Sequence, residues 1–190
     1  IKEIQLKDRL IVSVAAGVPI KFIEGFASNA PVIRVMPNIS LSIGFSPSCY
    51  ALGKNVTSNN EKQFTKIFEN LGSVIKVDES QMDAVTGLSG SGPAYVFLFL
   101  KALTEGGVKA GLSDETSKKL ALDTLYGAVL MASKTGKSFD ELISMVKTPG
   151  GTTEKGLLKL EEYGLEKAVI EAVKKATERS KELGEVYGKC

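Results

Sequence analysis

The residues best suited to chemistry are Thr148-Pro149-Gly150-Gly151-Thr152-Thr153, small or rigid residues set between two segments whose apolar side chains recur at helical spacing. Phe139, Leu142, Ile143 and Val146 precede the turn, and Leu157, Leu158 and Leu160 follow it. A Pro after Thr has the form of an N-cap with proline at the first helical position. That arrangement leaves the amides of Gly150, Gly151, Thr152 and Thr153 without intrahelical partners. Amides at the positive end of a helix attract an anion, and the glycines let it approach the backbone. The hydroxyls of Thr148, Thr152 and Thr153 add uncharged donors and acceptors. The chemistry this permits is recognition of a small carboxylate. An ordinary capped turn between packed helices uses the same residues, and from this stretch alone both readings stand.

Composition limits what else can happen there. The 190 residues include no histidine, which excludes Ser-His-Asp and Cys-His catalysis, histidine-bound metals and imidazole acids. Proton transfer must use a carboxylate, Lys, Tyr, Thr or water. Cys49 and Cys190 lie far apart with no ligand pattern beside them, so neither a disulfide framework nor a metal site is expected, and the setting expected is cytoplasmic. The 24 basic and 22 acidic residues are interleaved, and a net charge of +2 points to no nucleic-acid partner. The most apolar run, near 94–100, is too short to span a bilayer, and the first residues lack the pattern of a signal peptide.

The elements that must position these residues fall into two kinds. Over 1–80, short apolar runs alternate with helical patterns: a buried parallel strand over 10–15, a helix over 19–26, a strand over 32–36 closed by Pro37-Asn38, and a strand over 49–52. A helix over 59–71, with Phe64, Ile67, Phe68 and Leu71 on one face, and a strand over 74–77 complete that part. In open α/β sheets ligands bind beyond the carboxyl ends of strands, and two such ends here are Ala15-Ala16-Gly17 and Met36-Pro37-Asn38. Small residues there let a flat ring reach the backbone, or simply allow tight packing of strand on helix.

From about Glu79 strand signals stop and helical periodicity runs to the end of the chain. A short helix to about Leu88 meets Gly87-Leu88-Ser89-Gly90-Ser91-Gly92-Pro93, which reads as a close backbone crossing in a helical pack. The helix that follows carries Tyr95, Val96, Phe97, Leu98, Phe99, Leu100, Ala102 and Leu103. Being apolar nearly all round, it calls for burial on every side, in a piece of this size against a second copy. Three motif matches fail on spacing. A dinucleotide loop begun at Gly90 meets Tyr95 where it needs glycine, and a nucleophile elbow begun at Gly87 meets Ser91. A P-loop ending at Gly136-Lys137-Ser138 would begin at Met131, inside a helix.

The run from Asp83 through Thr86-Gly87-Leu88-Ser89-Gly90-Ser91-Gly92-Pro93-Ala94-Tyr95, then Gly106-Gly107-Val108, Gly111-Leu112 and the turn at 148–153, resembles pyrroline-5-carboxylate reductase, and the similarity extends from Leu10 to Leu183. The resemblance implies reduction of 1-pyrroline-5-carboxylate to L-proline, the last step of proline biosynthesis, with NADPH or NADH. It implies that Val14, Ala15, Ala16 and Gly17, with Pro37 and Asn38, line the nicotinamide side of a cofactor cleft. Thr148, Gly150, Gly151, Thr152 and Thr153 become the site for the substrate carboxylate, with Thr153 also at the ring nitrogen and Glu79 as a further substrate contact.

The implied fold is α/β plus all-α. Residues 1–78 form the C-terminal part of a Rossmann-like parallel-sheet domain, and 79–190 form a helical dimerisation and substrate-binding domain that makes a homodimer or higher homo-oligomer. Two departures stand out: the Gly-rich phosphate loop and first βα units are not among these residues, so additional residues before Ile1 are expected. The family's polar cofactor contact upstream of the turn falls on Met145. Two other classes share parts of the pattern: a non-catalytic helical dimerisation module, and a β-hydroxyacid dehydrogenase, which usually pairs a helical Lys with Asn.

Overall fold

The computed structural model describes residues 9–27 and 29–188 and divides into two compact units, Ile1–Pro93 with Glu171–Cys190, and Ala94–Ile170. In the first unit four strands, β1 (Ile11–Ser13), β2 (Val32–Met36), β3 (Ser48–Leu52) and β4 (Val74–Lys76), form one sheet in the order β1-β2-β3-β4. Strand β2 is the centre. Val32 and Met36 face a core of Ile20, Ala51 and Met82, while Ile33 and Val35 face Tyr50 and Phe64. An unbroken apolar run is what a strand covered on both faces requires, and it is why this strand is readable from sequence.

Strands β1 and β2 are parallel, as are β3 and β4, but β2 and β3 run antiparallel, with Val35 opposite Tyr50. The fully parallel order expected from the apolar runs is therefore broken at one place. The connection over 37–47 contains only a single stretch of 3-10 helix, Ile39–Ile43, and a parallel return needs a crossover of a dozen or more residues. Helix α1 (Ile20–Phe26) follows β1, and α2 (Ser58–Phe68) packs Phe64 under the sheet. Thr57 caps α2, its hydroxyl accepting from the Asn60 amide at 3.2 Å. The helical stretch expected to Leu71 tightens into 3-10 geometry over Glu69–Leu71, and Ile67, expected on the apolar face, is exposed.

Beyond Asp78 the regular helical pattern is interrupted at the glycines, with a bend at Ser91. A 3-10 turn (Glu79–Gln81) leads into α3 (Met82–Val85), which widens into a π turn at Thr86–Gly90, where the Ser91 amide donates to the Thr86 carbonyl at 2.9 Å. Gly87 meets the last helix, α8 (Leu165–Gly188), so closely that a Cβ would strike Thr177 Oγ1 and stand 2.7 Å from the Val173 carbonyl oxygen. The close backbone crossing expected at Gly87 is present.

In the second unit α4 (Gly92–Lys109), α5 (Asp114–Thr135), α6 (Phe139–Val146) and α7 (Thr152–Glu162) follow one another. Ser113 caps α5, and Ser138 caps α6 with Glu141 reaching back at 2.8 Å to the Ser138 amide. Helices α4 and α5 meet where Gly107 leaves room for Ser117, whose hydroxyl donates to the Thr104 carbonyl at 2.9 Å. The apolar side chains of α4 are nevertheless not covered within one chain: Phe97 and Leu98 are 61% and 67% exposed.

Candidate active site

The turn at 148–153 is real, and its cap differs from the one expected. Helix α7 begins at Thr152 with Gly151 as its N-cap, so Pro149 stands in the turn rather than in the first helical position. Gly150 takes φ +73°, a left-handed conformation that disfavours any side chain, and a Cβ on Gly151 would strike Thr148 Oγ1. Both glycines are therefore required by geometry.

Their amides are engaged inside the turn. The Gly151 amide donates to the Thr148 carbonyl at 2.9 Å, and the Gly150 amide donates to Glu154 Oε2 at 2.8 Å. Glu154 also stands 3.8 Å from Lys147 Nζ. The first amides of α7, at Thr152 and Thr153, precede its opening bond from Lys155 to Gly151 at 3.3 Å. With the Glu154 amide, they stand at the positive end of the helix, where donors suit an anion. Glu154 is the residue that sequence reasoning missed. With glycine as the N-cap no capping box forms, and the carboxylate instead accepts from the amide one residue before the cap, a pairing that no sequence motif announces.

Thr153 is half-buried and also lines an apolar groove of about 800 Å3 with Phe139, Leu142, Met145 and Val146 of α6 and residues of α5. Methionine stands at 145 in that wall, a side chain that offers apolar surface and only a weak sulfur acceptor.

The other candidate residues belong to the first unit. Because β1 and β2 are parallel, with Ser13 opposite Arg34, the segments that follow them run out at the same end of the sheet: Val14, Ala15, Ala16 and Gly17 from one strand, Pro37 and Asn38 from the other. Val14, Ala15 and Ala16 are exposed, and the alanines carry nothing beyond Cβ to screen the backbone there. Gly17 is buried at φ +75°.

Asn38 makes three hydrogen bonds within the chain. Its Oδ1 accepts from the Ser40 amide at 2.9 Å, its Nδ2 donates to the Ser89 carbonyl at 3.2 Å, and its amide donates to Ser46 Oγ at 2.9 Å. It shapes the strand end through these bonds.

Glu79 is held just as firmly. Arg34 alternates onto the Met82 face of β2 and is 5% exposed, so its charge needs a partner there. It finds Glu79 Oε1 at 3.4 Å and Asp83 Oδ1 at 3.9 Å. The same Glu79 oxygen accepts the first amide of α1, at Ile20, at 2.6 Å. Thus Glu79 lies with the strand ends in the first unit, and the threonine turn lies in the second.

Elsewhere in the first unit burial pushes the Tyr50 hydroxyl up to about 12, helped by its bond to Glu61. Burial likewise raises the Cys49 thiol, which is that of an inert core residue. Among the described residues no cluster of His, Cys, Asp or Glu is placed to hold a metal ion, and no helix is long and apolar enough to cross a membrane.

Comparison with known proteins bears on both units. The family model for pyrroline-5-carboxylate reductase dimerisation matches residues 79–183. A pyrroline-5-carboxylate reductase of Methanosarcina acetivorans is 44% identical over 178 residues, 93% of this chain and 66% of that protein. One of Glycine max is 44% identical over 177 residues, 93% of this chain and 65% of the relative. The chain thus spans about two thirds of the length of the curated relatives it matches. Among solved structures, Plasmodium falciparum pyrroline carboxylate reductase with NADP bound is similar with a TM-score of 0.91 at 38% identity, covering 94% of this chain and 73% of that one. A 1-pyrroline-5-carboxylate reductase of Streptococcus pyogenes gives 0.89 at 29% identity, covering 93% of this chain and 70% of that one. With the family model matched over more than half of its residues, and the relatives aligned through both the strand ends and the threonine turn, the chain belongs to the pyrroline-5-carboxylate reductase family.

Proposed function

We propose that the protein reduces 1-pyrroline-5-carboxylate to L-proline with NADPH or NADH, the last step of proline biosynthesis. The observation that carries the reading is the likeness, over 94% of this chain, to a pyrroline carboxylate reductase with NADP bound. In this reading Val14, Ala15, Ala16, Gly17, Pro37 and Asn38 receive the nicotinamide end of the cofactor. Thr148, Gly150, Gly151, Thr152 and Thr153 form the carboxylate site, and Glu79 contributes its second oxygen, the first being held by Arg34 and Ile20.

When bound, the cofactor supplies the hydride that reduces the C=N bond. A pyrroline imine is basic enough to take its proton from water, so no strong acid is demanded of a chain without histidine. The amides of Thr152 and Thr153 hold the substrate carboxylate at the positive end of α7, and the Thr153 hydroxyl orients the ring nitrogen; orientation and fixed dipoles are the protein's contributions.

The functional division we propose is a dinucleotide-binding part over 1–78 and a helical dimerisation and substrate-binding part over 79–190, supported by the family match that starts at residue 79. A homodimer or larger homo-oligomer is supported by the name of that family and by the uncovered side chains of α4. A cytoplasmic setting accords with the free, buried thiol of Cys49. The test is an assay of the full-length protein with 1-pyrroline-5-carboxylate and NADPH or NADH, following nicotinamide absorbance and chromatographic L-proline. One proline per cofactor oxidised is expected, and cofactor loss without proline refutes the assignment.

A further inference from the structure

The turn that ends β1 is gripped from behind by the last helix. Gly17 and Gly184 of α8 meet back to back: a Cβ on Gly184 would stand 2.7 Å from the Gly17 carbonyl oxygen. A Cβ on Gly17 would stand 3.1 Å from the Gly184 nitrogen, the Leu183 Cβ and the Ser180 carbonyl oxygen. Neither partner has a flexible side chain that could yield; backbone touches backbone.

The helix itself is fixed on both sides of that contact. Ser180, 2% exposed, donates its hydroxyl to Asp83 Oδ1 at 2.7 Å. The Tyr187 ring lies 4.9 Å from that of Phe22, and Gly87 sits against Val173 and Thr177. The far end of the turn is fixed too, because Glu79 holds the Ile20 amide and is itself tied to Arg34, which Asp83 also faces. Helix α8 and the polar chain Ser180, Asp83, Arg34, Glu79 therefore clamp the turn between them.

We infer that Gly184 is a positioning residue for the nicotinamide end of the cofactor, acting through the turn at 14–17; the inference rests on the cofactor placement proposed above. A methyl group at 184 needs an ordinary contact of at least 3.4 Å where 2.7 Å is present. With α8 pinned at Ser180 and Tyr187, the part that gives way is the turn, and exposed Val14, Ala15 and Ala16 move with Gly17. Misplacing a reacting ring by about 1 Å can cost on the order of a hundredfold in rate.

The test uses the full-length protein carrying Gly184→Ala, with Glu185→Ala as an exposed neighbour on the same helix. The expected result is a rise of about tenfold in KM for NAD(P)H with a fall in kcat, while KM for the imine stays within about twofold. A role confined to helix stability predicts the reverse, since alanine is the better helix former: an unchanged or raised Tm and an unmoved cofactor KM. Should Gly184→Ala fail to fold, Ser180→Ala loosens the same clamp without adding volume and is expected to raise the cofactor KM by a smaller factor. A folded Gly184→Ala, or in its place Ser180→Ala, with an unchanged cofactor KM overturns the inference and leaves the reductase reading standing. An unsubstituted protein that makes no proline overturns that reading and this inference with it.

Discussion

Replacing Glu79 tests how this carboxylate divides its work between holding the fold and meeting substrate. Its Oε1 takes the Ile20 amide at 2.6 Å and lies 3.4 Å from the guanidinium of Arg34. The gross attraction of that pair, at an effective dielectric constant of about 20, is on the order of 5 kcal/mol. The Glu79 side chain is 37% exposed, so water screens it and desolvation of the almost covered Arg34 opposes it; Asp83 at 3.9 Å remains after the substitution. Glu79→Ala should therefore destabilise by about 2 kcal/mol, the charged hydrogen bond to Ile20 included. Glu79→Gln, which keeps an acceptor for that amide, should cost about 1 kcal/mol. Urea denaturation followed by circular dichroism reads this as a drop in midpoint of about 1 M for alanine and half that for glutamine. A midpoint for Glu79→Ala that does not move would show that the Arg34 network is not a support of the first unit. A raised imine KM in Glu79→Gln would mark the second oxygen as the substrate contact.

Thr153→Ala should lower kcat/KM for imine reduction by about tenfold, the worth of one hydrogen bond to the reacting ring, with the fold unchanged by circular dichroism; equal kinetics would remove Thr153 from the site. Tyr50 and Glu61, hydrogen-bonded to each other, link the stability of the first unit to pH. The Tyr50 hydroxyl is raised to about 12, so the stability linked to it is present below its ordinary value of 10.0 and is lost as pH rises towards 12. Glu61 is lowered by its bonds to Lys76 and then Tyr50, so its contribution is present above its ordinary 4.5 and is lost as pH falls below it. Denaturation midpoints across pH should show both flanks, and Tyr50→Phe should flatten the alkaline one. Leu98→Glu on α4, at a position 67% exposed in one chain, should shift sedimentation from dimer or larger to monomer or aggregate. A native protein that sediments as a folded monomer at micromolar concentration would refute the dimer.

Much of the first unit was legible because burial writes itself into composition. Val32, Ile33 and Val35 form an apolar run that only a doubly covered strand explains, and α1 was placed to within a residue. The reversal of β3 was not legible, because apolar pattern records which face is buried and not which way a strand runs. Nothing in the strand's own sequence explains a buried Arg34; its partners, 45 and 49 positions away, account for it.

At the threonine turn, residue types pointed to a helix start but not to the cap, which moved from Thr148 to Gly151 once Glu154 reached back to Gly150. The strand ends at 14–17 and 37–38 are small for packing and for ligand alike. Composition could not separate those uses, and the family resemblance supplied the choice.

The division of the chain has a consequence for how it is made. The first unit is completed by residues of α8, which follow the 77 residues of 94–170 in order of synthesis. At ~5–20 residues per second, synthesis of those 77 residues alone keeps that brace from the sheet for roughly 4–15 s. During that interval Gly17, Gly87 and Asp83 wait without the helix that covers them, and the nascent sheet carries an open apolar flank. An arrest late in translation would thus injure a sheet that was made well before it.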